Sequence, residues 1–200
     1  MIELPLFPLN TVLFPGGKLP LRIFEPRYLS MISRCLKRDE GFGVVLIKEG
    51  SEVGTAEMFE FGTVAEITDW HQGTDGLLGV TATGTHRFRL LESSQQSDGL
   101  YIGQAELIAP EPSTALSEKY EAAASLLRTI LDELGAHYAD IGEAYDDSSW
   151  VGYRVAEILP LPTVTKQDLL EMSDPEGRLE QLEPLIENHY SLQSDSQDDG

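Results

Sequence analysis

The segment from Leu4 to Tyr28, LPLFPLNTVLFPGGKLPLRIFEPRY, is the feature that restricts the fold most, because it is apolar and yet contains five prolines. Each proline fixes φ and removes a backbone donor, so no helix runs through the segment. An export signal or a membrane-spanning helix needs an uninterrupted apolar stretch, which is missing here. We therefore expect the first strands of a domain, with turns or sheet edges at the five prolines: Pro5, Pro8, Pro15, Pro20 and Pro26.

The absence of an export-signal pattern predicts a cytoplasmic protein. The single cysteine, Cys35, has no partner for an internal disulfide, which agrees with a reducing compartment. It belongs to an apolar helical pattern, so we interpret it as packed core and not as a reactive thiol.

The charge of the chain is strongly acidic and unevenly distributed. The 200 residues include 34 acidic and 14 basic side chains, for a net charge of −20. Residues 1–110 have 9 basic and 14 acidic side chains, net −5, whereas residues 111–200 have 5 and 20, net −15. Such a charge disfavours nucleic acid and anionic membranes as partners, and it favours basic partners.

One local cluster runs against this charge, with six basic residues and the single acid Glu25 between residues 18 and 38. We interpret it as a solvated helix face. An RNA-binding surface is the less favoured alternative. The six residues are Lys18, Arg22, Arg27, Arg34, Lys37 and Arg38.

The first half of the chain reads as β-structure, because short runs of β-branched and aromatic residues alternate with glycines. One helix is predicted among them, since Pro26 suits a first helical position and apolar residues recur at helical spacing up to Gly41. These residues are Tyr28, Leu29, Ile32, Cys35 and Leu36. The predicted strands are Ile2–Phe7, Pro20–Ile23, Gly43–Ile47, Gly62–Thr68, Leu77–Thr83, His86–Glu92 and Tyr101–Leu107.

The proline-containing segment 108–114 marks a boundary, after which the apolar spacing becomes helical. Four helices are predicted: one closed by Gly135, one after Asp147 or Ser148, one capped by Thr165, and one starting at Asp174 and kinked or split by Pro184. We therefore predict a β-rich domain over 1–110, a helical subdomain over 111–190, and a disordered acidic tail over 191–200.

The sequence lacks the motifs of the common catalytic sites. It contains no nucleotide-binding P-loop, no GxSxG nucleophile elbow, and no Cys or second His at zinc-ligand spacing near any of its four histidines. We expect no catalytic residues, no metal and no cofactor, and hence no enzyme. A hydrolase with an unrecognised site is the alternative.

The chain resembles the Lon substrate-binding domain family, in particular its free-standing bacterial form. This domain is the amino-terminal domain of Lon-type ATP-dependent proteases, and the Lon-like domain of cereblon is similar. The resemblance spans nearly the whole chain. It rests on LPLFPLNTVLFPGGKLPLRIFEPRYLSMI at 4–32, GFGVVLIKEGSEVG at 41–54, FGTVAEI at 61–67, GTHRFRLLE at 84–92 and LPLPTVTKQDLLEMSDPEGRLEQLEPLI at 159–186.

The resemblance implies an α+β fold, with an amino-terminal PUA-like β-barrel that contains one inserted helix and a carboxyl-terminal α-helical bundle. It implies a non-catalytic module that recognises unfolded or extended polypeptide or a protein partner, with a link to protein quality control. The ATPase module and the serine and lysine dyad of full-length Lon proteases have no recognisable counterpart in this sequence.

The first block also contains the predicted binding site. Aromatic rings and guanidinium groups there would contact a peptide, and the residues are Phe14, Arg22, Phe24, Arg27 and Tyr28. A structural motif surrounds them, consisting of Pro15, Gly16, Gly17, Glu25 and Pro26. A purely structural interpretation stays open, in which Glu25 pairs with Arg27, Arg87 or Arg89 and the FEPRY segment anchors the barrel.

Overall fold

The structure is a computed structural model that describes residues 1–52, 56–135 and 141–195. The chain divides into two compact units, Met1–Pro110 and Glu111–Gly200. Strands and one α-helix form the described part of the first unit, and the second is helical, so the fold class is α+β.

The first unit is built on a mixed sheet whose strands are β1 (Ile2–Leu9), β2 (Lys18–Ile23), β3 (Phe42–Gly50), β4 (Ala56–Gln72), β5 (Leu78–Gln95) and β6 (Tyr101–Leu107). The strand order is β2-β5-β4-β3-β1-β6, and β5 also pairs with β6. The pairings among β1, β3, β4, β5 and β6 therefore form a closed circuit, to which β2 is added through β5. β1 and β3 are parallel, and the other neighbours are antiparallel.

Prolines within the strands lie where a missing amide donor has little effect. β1 pairs with β6 through Ile2–Leu6 and with β3 through Leu6–Leu9, so Pro5 and Pro8 each lie where β1 has a single partner strand. Pro20 lies in β2, which is an edge strand in the observed order. The predicted edge position therefore holds for Pro20, whereas Pro5 and Pro8 lie inside β1 at positions that pair on one side only.

Strand β5 differs from the sequence prediction, because it runs unbroken through both predicted strands Leu77–Thr83 and His86–Glu92. Gly84 makes no turn between them. Its amide donates to the Gly17 carbonyl at 2.9 Å, and its carbonyl accepts from the Gly16 amide at 2.7 Å. A glycine inside a strand also marks a close backbone approach, and that is its role here.

A Gly84→Ala substitution is expected to lower the free energy of unfolding by about 1–3 kcal/mol, because the new Cβ would overlap the Phe14 carbonyl oxygen and force the backbone to shift. Urea unfolding would measure the loss. His86→Ala, at an exposed position of the same strand, should change stability by less than about 0.5 kcal/mol. Equal losses in the two variants would contradict the close approach at Gly84.

Helix α1 (Pro26–Arg38) begins with Pro26 at a first-turn position, as predicted, and packs in the apolar core of the first unit. Its buried apolar side is formed by Tyr28, Met31, Ile32 and Cys35. Cys35 is therefore packed core, and burial raises the pKa of its thiol.

The predicted apolar stripe of α1 is too wide by two residues. Leu29 and Leu36 are exposed, because at about 100° per residue both lie to one flank of the buried side of the helix. They lie seven positions apart and so share a second, outward side of the helix.

The second unit contains, in its described residues, a short 3₁₀ turn at Glu118–Tyr120 and the helices α2 (Glu121–Leu134), α3 (Ser148–Ile158), α4 (Thr163–Glu171) and α5 (Pro175–Asp195). Gly135 ends α2 at a positive φ of 56°, and the Asp147 carboxylate caps α3 by accepting from the Trp150 amide at 2.8 Å.

Three details of the helical prediction change. α4 begins at Thr163, so Thr165 lies inside the helix and does not cap it. Pro184 lies within α5 without ending it. α5 continues through Asp195 and so enters the segment 191–200, whose composition predicts disorder. The helix can extend this far because each added residue gains a hydrogen bond once a helix exists. Residues 196–200 lie outside the described residues.

Candidate functional site

The structure places two of the five predicted peptide-binding residues in the core of the first unit. Phe14 is 0% exposed and Tyr28 is 4% exposed. The Tyr28 ring stacks on Phe7 with ring centroids 3.9 Å apart, and burial raises the pKa of its hydroxyl to about 12. In this arrangement neither ring offers surface to a peptide, so their apolar character serves packing.

Arg27 is also buried, and its guanidinium group joins three parts of the chain. Nη1 donates to the Gly99 carbonyl at 2.8 Å, and Nη2 donates to the Glu52 carbonyl at 2.9 Å. Nη2 lies 2.8 Å from Glu25 Oε2. A planar guanidinium is suited to such a fork of acceptors, so Arg27 holds the start of α1 to the β5–β6 connection and to the end of β3.

This geometry shows one of the pairings considered for Glu25. Its carboxylate pairs with Arg27, whereas Arg89 pairs with Glu60 at 3.1 Å. The Glu25 carbonyl accepts the amides of Tyr28 and Leu29 at 3.0 Å each, which starts α1. Glu25 and Arg27 thus anchor the FEPRY segment.

The Pro15, Gly16 and Gly17 part of the motif makes the turn between β1 and β2. Gly16 has a φ of 75°, which favours glycine, and the Gly17 amide donates to the Phe14 carbonyl at 3.0 Å. The predicted tight reversal is present.

Two predicted binding residues remain on the surface. Phe24, between β2 and α1, is 61% exposed. The Arg22 side chain on edge strand β2 is also exposed, and it forms an ion pair with Asp75. Aromatic and arginine side chains are enriched in protein interfaces.

The outward side of α1 also has exposed apolar residues. The exposed Leu29 and Leu36 lie near basic side chains, and a shallow depression of about 580 Å³ is lined by Leu29, Ser30, Ser33, Arg34, Lys37 and Arg38. The basic cluster of the sequence is thus partly a helix face, as predicted, and it includes apolar surface that a purely solvated face does not need.

The second unit contains a buried ionic network that the sequence did not predict. Arg178 donates from Nη1 to Glu111 Oε2 at 3.0 Å and from Nη2 to Glu111 Oε1 at 2.5 Å. Ser149 and Tyr153 donate their hydroxyls to the same carboxylate at 2.6 and 2.7 Å. Arg178 further donates to the carbonyls of Leu169 and Met172.

The geometry of this network indicates a structural role. Burial raises the pKa of Glu111, but the hydrogen bonds that it accepts and the charge of Arg178 outweigh burial and hold the pKa below its ordinary value. The carboxylate accepts four hydrogen bonds and stays ionised, which leaves little basicity for proton transfer. No local pattern relates two residues 67 positions apart, so the sequence offered no signal for the pair.

Within the described ranges, no three His, Cys, Asp or Glu side chains converge as metal ligands would. Among the same residues, no helix is long and apolar enough to cross a bilayer.

The family model for the ATP-dependent protease La (LON) substrate-binding domain matches residues 3–188. The chain therefore belongs to the Lon substrate-binding domain family.

Individual relatives agree with this assignment. The crystal structure of a Lon N-terminal domain protein from Xanthomonas campestris is similar with a TM-score of 0.78 and 36% identity, over 91% of this chain and 97% of that chain. Lon protease of Erwinia amylovora is 29% identical over 203 residues, which cover 96% of this chain and 25% of the protease. Protein cereblon of Xenopus tropicalis is 30% identical over 122 residues, covering 57% of this chain and 26% of cereblon. The chain thus spans about a quarter of these curated relatives.

Proposed function

We propose that this chain is a non-catalytic module that binds extended or partly unfolded polypeptide, or a protein partner. The observation that supports it most is the match to a substrate-binding domain over residues 3–188. The closed circuit of strand pairings supports the PUA-like barrel that the resemblance implies, and the four helices support a carboxyl-terminal bundle. Cytoplasmic location and the absence of nucleic acid partners remain predictions from the sequence.

The surface that we assign to this function is the exposed part of the predicted site. It comprises Phe24 and Arg22, together with the outward side of α1 at Leu29 and Leu36. Apolar side chains of a client would enter pockets of this surface or contact the Phe24 ring. The arginines would bind carbonyls or carboxylates of the client. The buried Phe14, Arg27 and Tyr28 would shape this surface from beneath.

A Phe24→Ser variant is expected to reduce the capture of denatured clients several-fold, because the exposed ring would provide apolar contact area. Clients diluted from denaturant would be tested for retention on the immobilised chain and for slower aggregation. Trp70→Ser is the matched control, since Trp70 on β4 is 60% exposed, close to the 61% of Phe24. Equal losses in both variants would contradict a specific site at Phe24.

A digestion assay distinguishes binding from hydrolysis. Casein incubated with the purified chain, with and without ATP, is expected to stay intact. Turnover that persists through further purification would favour the hydrolase alternative and overturn the proposal.

A further inference from the structure

Strands β4 and β5 separate at one end of the sheet. Their ladder begins at Phe61 opposite Arg89. Before Phe61, β4 pairs with β3, and from Leu90 to Gln95 β5 pairs with β6. Residues 56–60 and 90–95 therefore form the two arms of a fork. Within the described part of the chain, each arm pairs with a strand along one edge and has no strand paired along the other.

The space between the arms is a groove with an apolar floor. It has a volume of about 570 Å³ and is lined in part by Glu49, Ala56, Glu57, Met58, Leu90 and Ser93. Met58 and Leu90 are half-buried and pack on the core cluster of Leu4, Leu6, Val45, Phe88, Tyr101 and Ala105. The Ala56 amide donates to the Tyr101 hydroxyl at 3.0 Å, so this edge donor already has a side-chain acceptor.

The rim of the fork is acidic. Two of its glutamates are paired: Lys48 Nζ lies 2.8 Å from Glu57 Oε1, and Arg89 Nη2 lies 3.1 Å from Glu60 Oε2. Glu49 and Glu92 are exposed and add further negative charge. An acidic rim over an apolar floor is complementary to a segment with both basic and apolar side chains.

We propose that the fork binds an extended peptide segment by strand addition, and that this segment alternates apolar with basic residues. Strand edges supply main-chain donors and acceptors, which give affinity with little sequence dependence. Successive side chains of an extended segment point to opposite sides, so alternate residues would face Met58 and Leu90 while the others reach the glutamates. The inference rests on the proposed function and adds a second contact surface, with its preferred client chemistry.

Labelled synthetic peptides test the proposal by fluorescence anisotropy. The peptide KLTVKLTVK is expected to bind at least about tenfold more tightly than its acidic counterpart ELTVELTVE, because the rim charge repels the latter. It should also bind at least about tenfold more tightly than KLPVKLPVK, which keeps the charge and the apolar side but lacks two amide donors. A photoreactive group at the central residue should crosslink to residues 56–60 or 90–95.

Two charge reversals provide the matched pair of variants. Glu49→Lys should weaken the binding of KLTVKLTVK about tenfold and strengthen the binding of ELTVELTVE. The control variant is Glu66→Lys, which lies on β4 six residues beyond the fork and therefore about 20 Å away. It should change the affinity for either peptide less than about twofold, since salt screens charges beyond about 8 Å.

The outcomes separate this inference from the proposed function. Crosslinks elsewhere, equal affinity for the acidic and basic peptides, or undiminished binding of the proline peptide would overturn strand addition in the fork, while retention of denatured clients would leave the proposed function standing. If neither the peptides nor the denatured clients bind, both proposals fail.

Discussion

Replacing Arg178 with alanine is expected to lower the free energy of unfolding by about 3–5 kcal/mol, the largest effect that we foresee for a single substitution. Arg178 is 0% exposed and donates two hydrogen bonds to the Glu111 carboxylate. Its removal would leave that carboxylate buried without its counter-charge, and the Leu169 and Met172 carbonyls would each lose a donor. Urea unfolding followed by circular dichroism would measure the loss.

Two comparisons isolate the buried charge. Arg128→Ala removes an exposed arginine that lies over the Tyr145 ring at 4.4 Å, and it should cost less than about 1 kcal/mol. The double variant Glu111→Gln with Arg178→Met removes both charges and should be more stable than Arg178→Ala alone. A double variant at least as unstable as the single one would contradict the buried-charge explanation.

The same pair predicts a pH dependence. The pKa of Glu111 in the folded chain lies below its ordinary value of 4.5, so the folded state binds this proton less tightly than the unfolded state does. The stabilisation is therefore fully present above pH 4.5 and is lost as pH falls through the folded pKa. The stability difference between the native chain and Glu111→Gln should shrink over that range, and a constant difference would refute it.

Arg27→Ala is expected to lower the free energy of unfolding of the first unit by about 2–4 kcal/mol. The substitution would remove donors from the carbonyls of Gly99 and Glu52 and leave the Glu25 carboxylate without its pair. Native-state amide exchange should report the loss as faster exchange in the first turn of α1 and around Gly99. Denaturant unfolding would give its size.

The shape of the guanidinium should matter as well as its charge. Arg27→Lys keeps one charge but not the fork of donors, so it should recover only part of the lost stability. Arg22→Ala, at an exposed ion pair on β2, should cost less than about 1 kcal/mol. Full rescue by lysine would show that the three contacts of Arg27 do not act together.

Local rules predicted much of the fold. The prolines at 5, 8 and 20 indicated strands in place of a helix, and both the Pro26 start and the Gly135 end of a helix follow from backbone chemistry alone. The errors concern interactions between distant segments. Gly84 resembles a turn residue locally, but it pairs with Ala65 of β4 and exchanges backbone hydrogen bonds with Gly16 and Gly17, so the strand continues through it.

The candidate site was harder to predict for the same reason. Phe14 and Phe24 are both aromatic residues flanking an edge strand, and sequence gives no reason to bury one at 0% and expose the other at 61%. The β4–β5 fork has no sequence pattern, because it results from β5 changing its pairing partner near Arg89. The resemblance to a substrate-binding domain family implied a binding module, whereas strand register decides which surfaces are open.

The most direct measurement of the central claim is the equilibrium binding of the purified chain to ribonuclease A in two forms, native and permanently unfolded by reduction and alkylation, with the mass of the client determined afterwards. We predict saturable binding of the unfolded form with a Kd on the order of micromolar, at least about tenfold weaker binding of the native form, and an unchanged client mass. Equal binding of both forms, no binding of either, or fragments of the client would contradict a non-catalytic module for extended polypeptide.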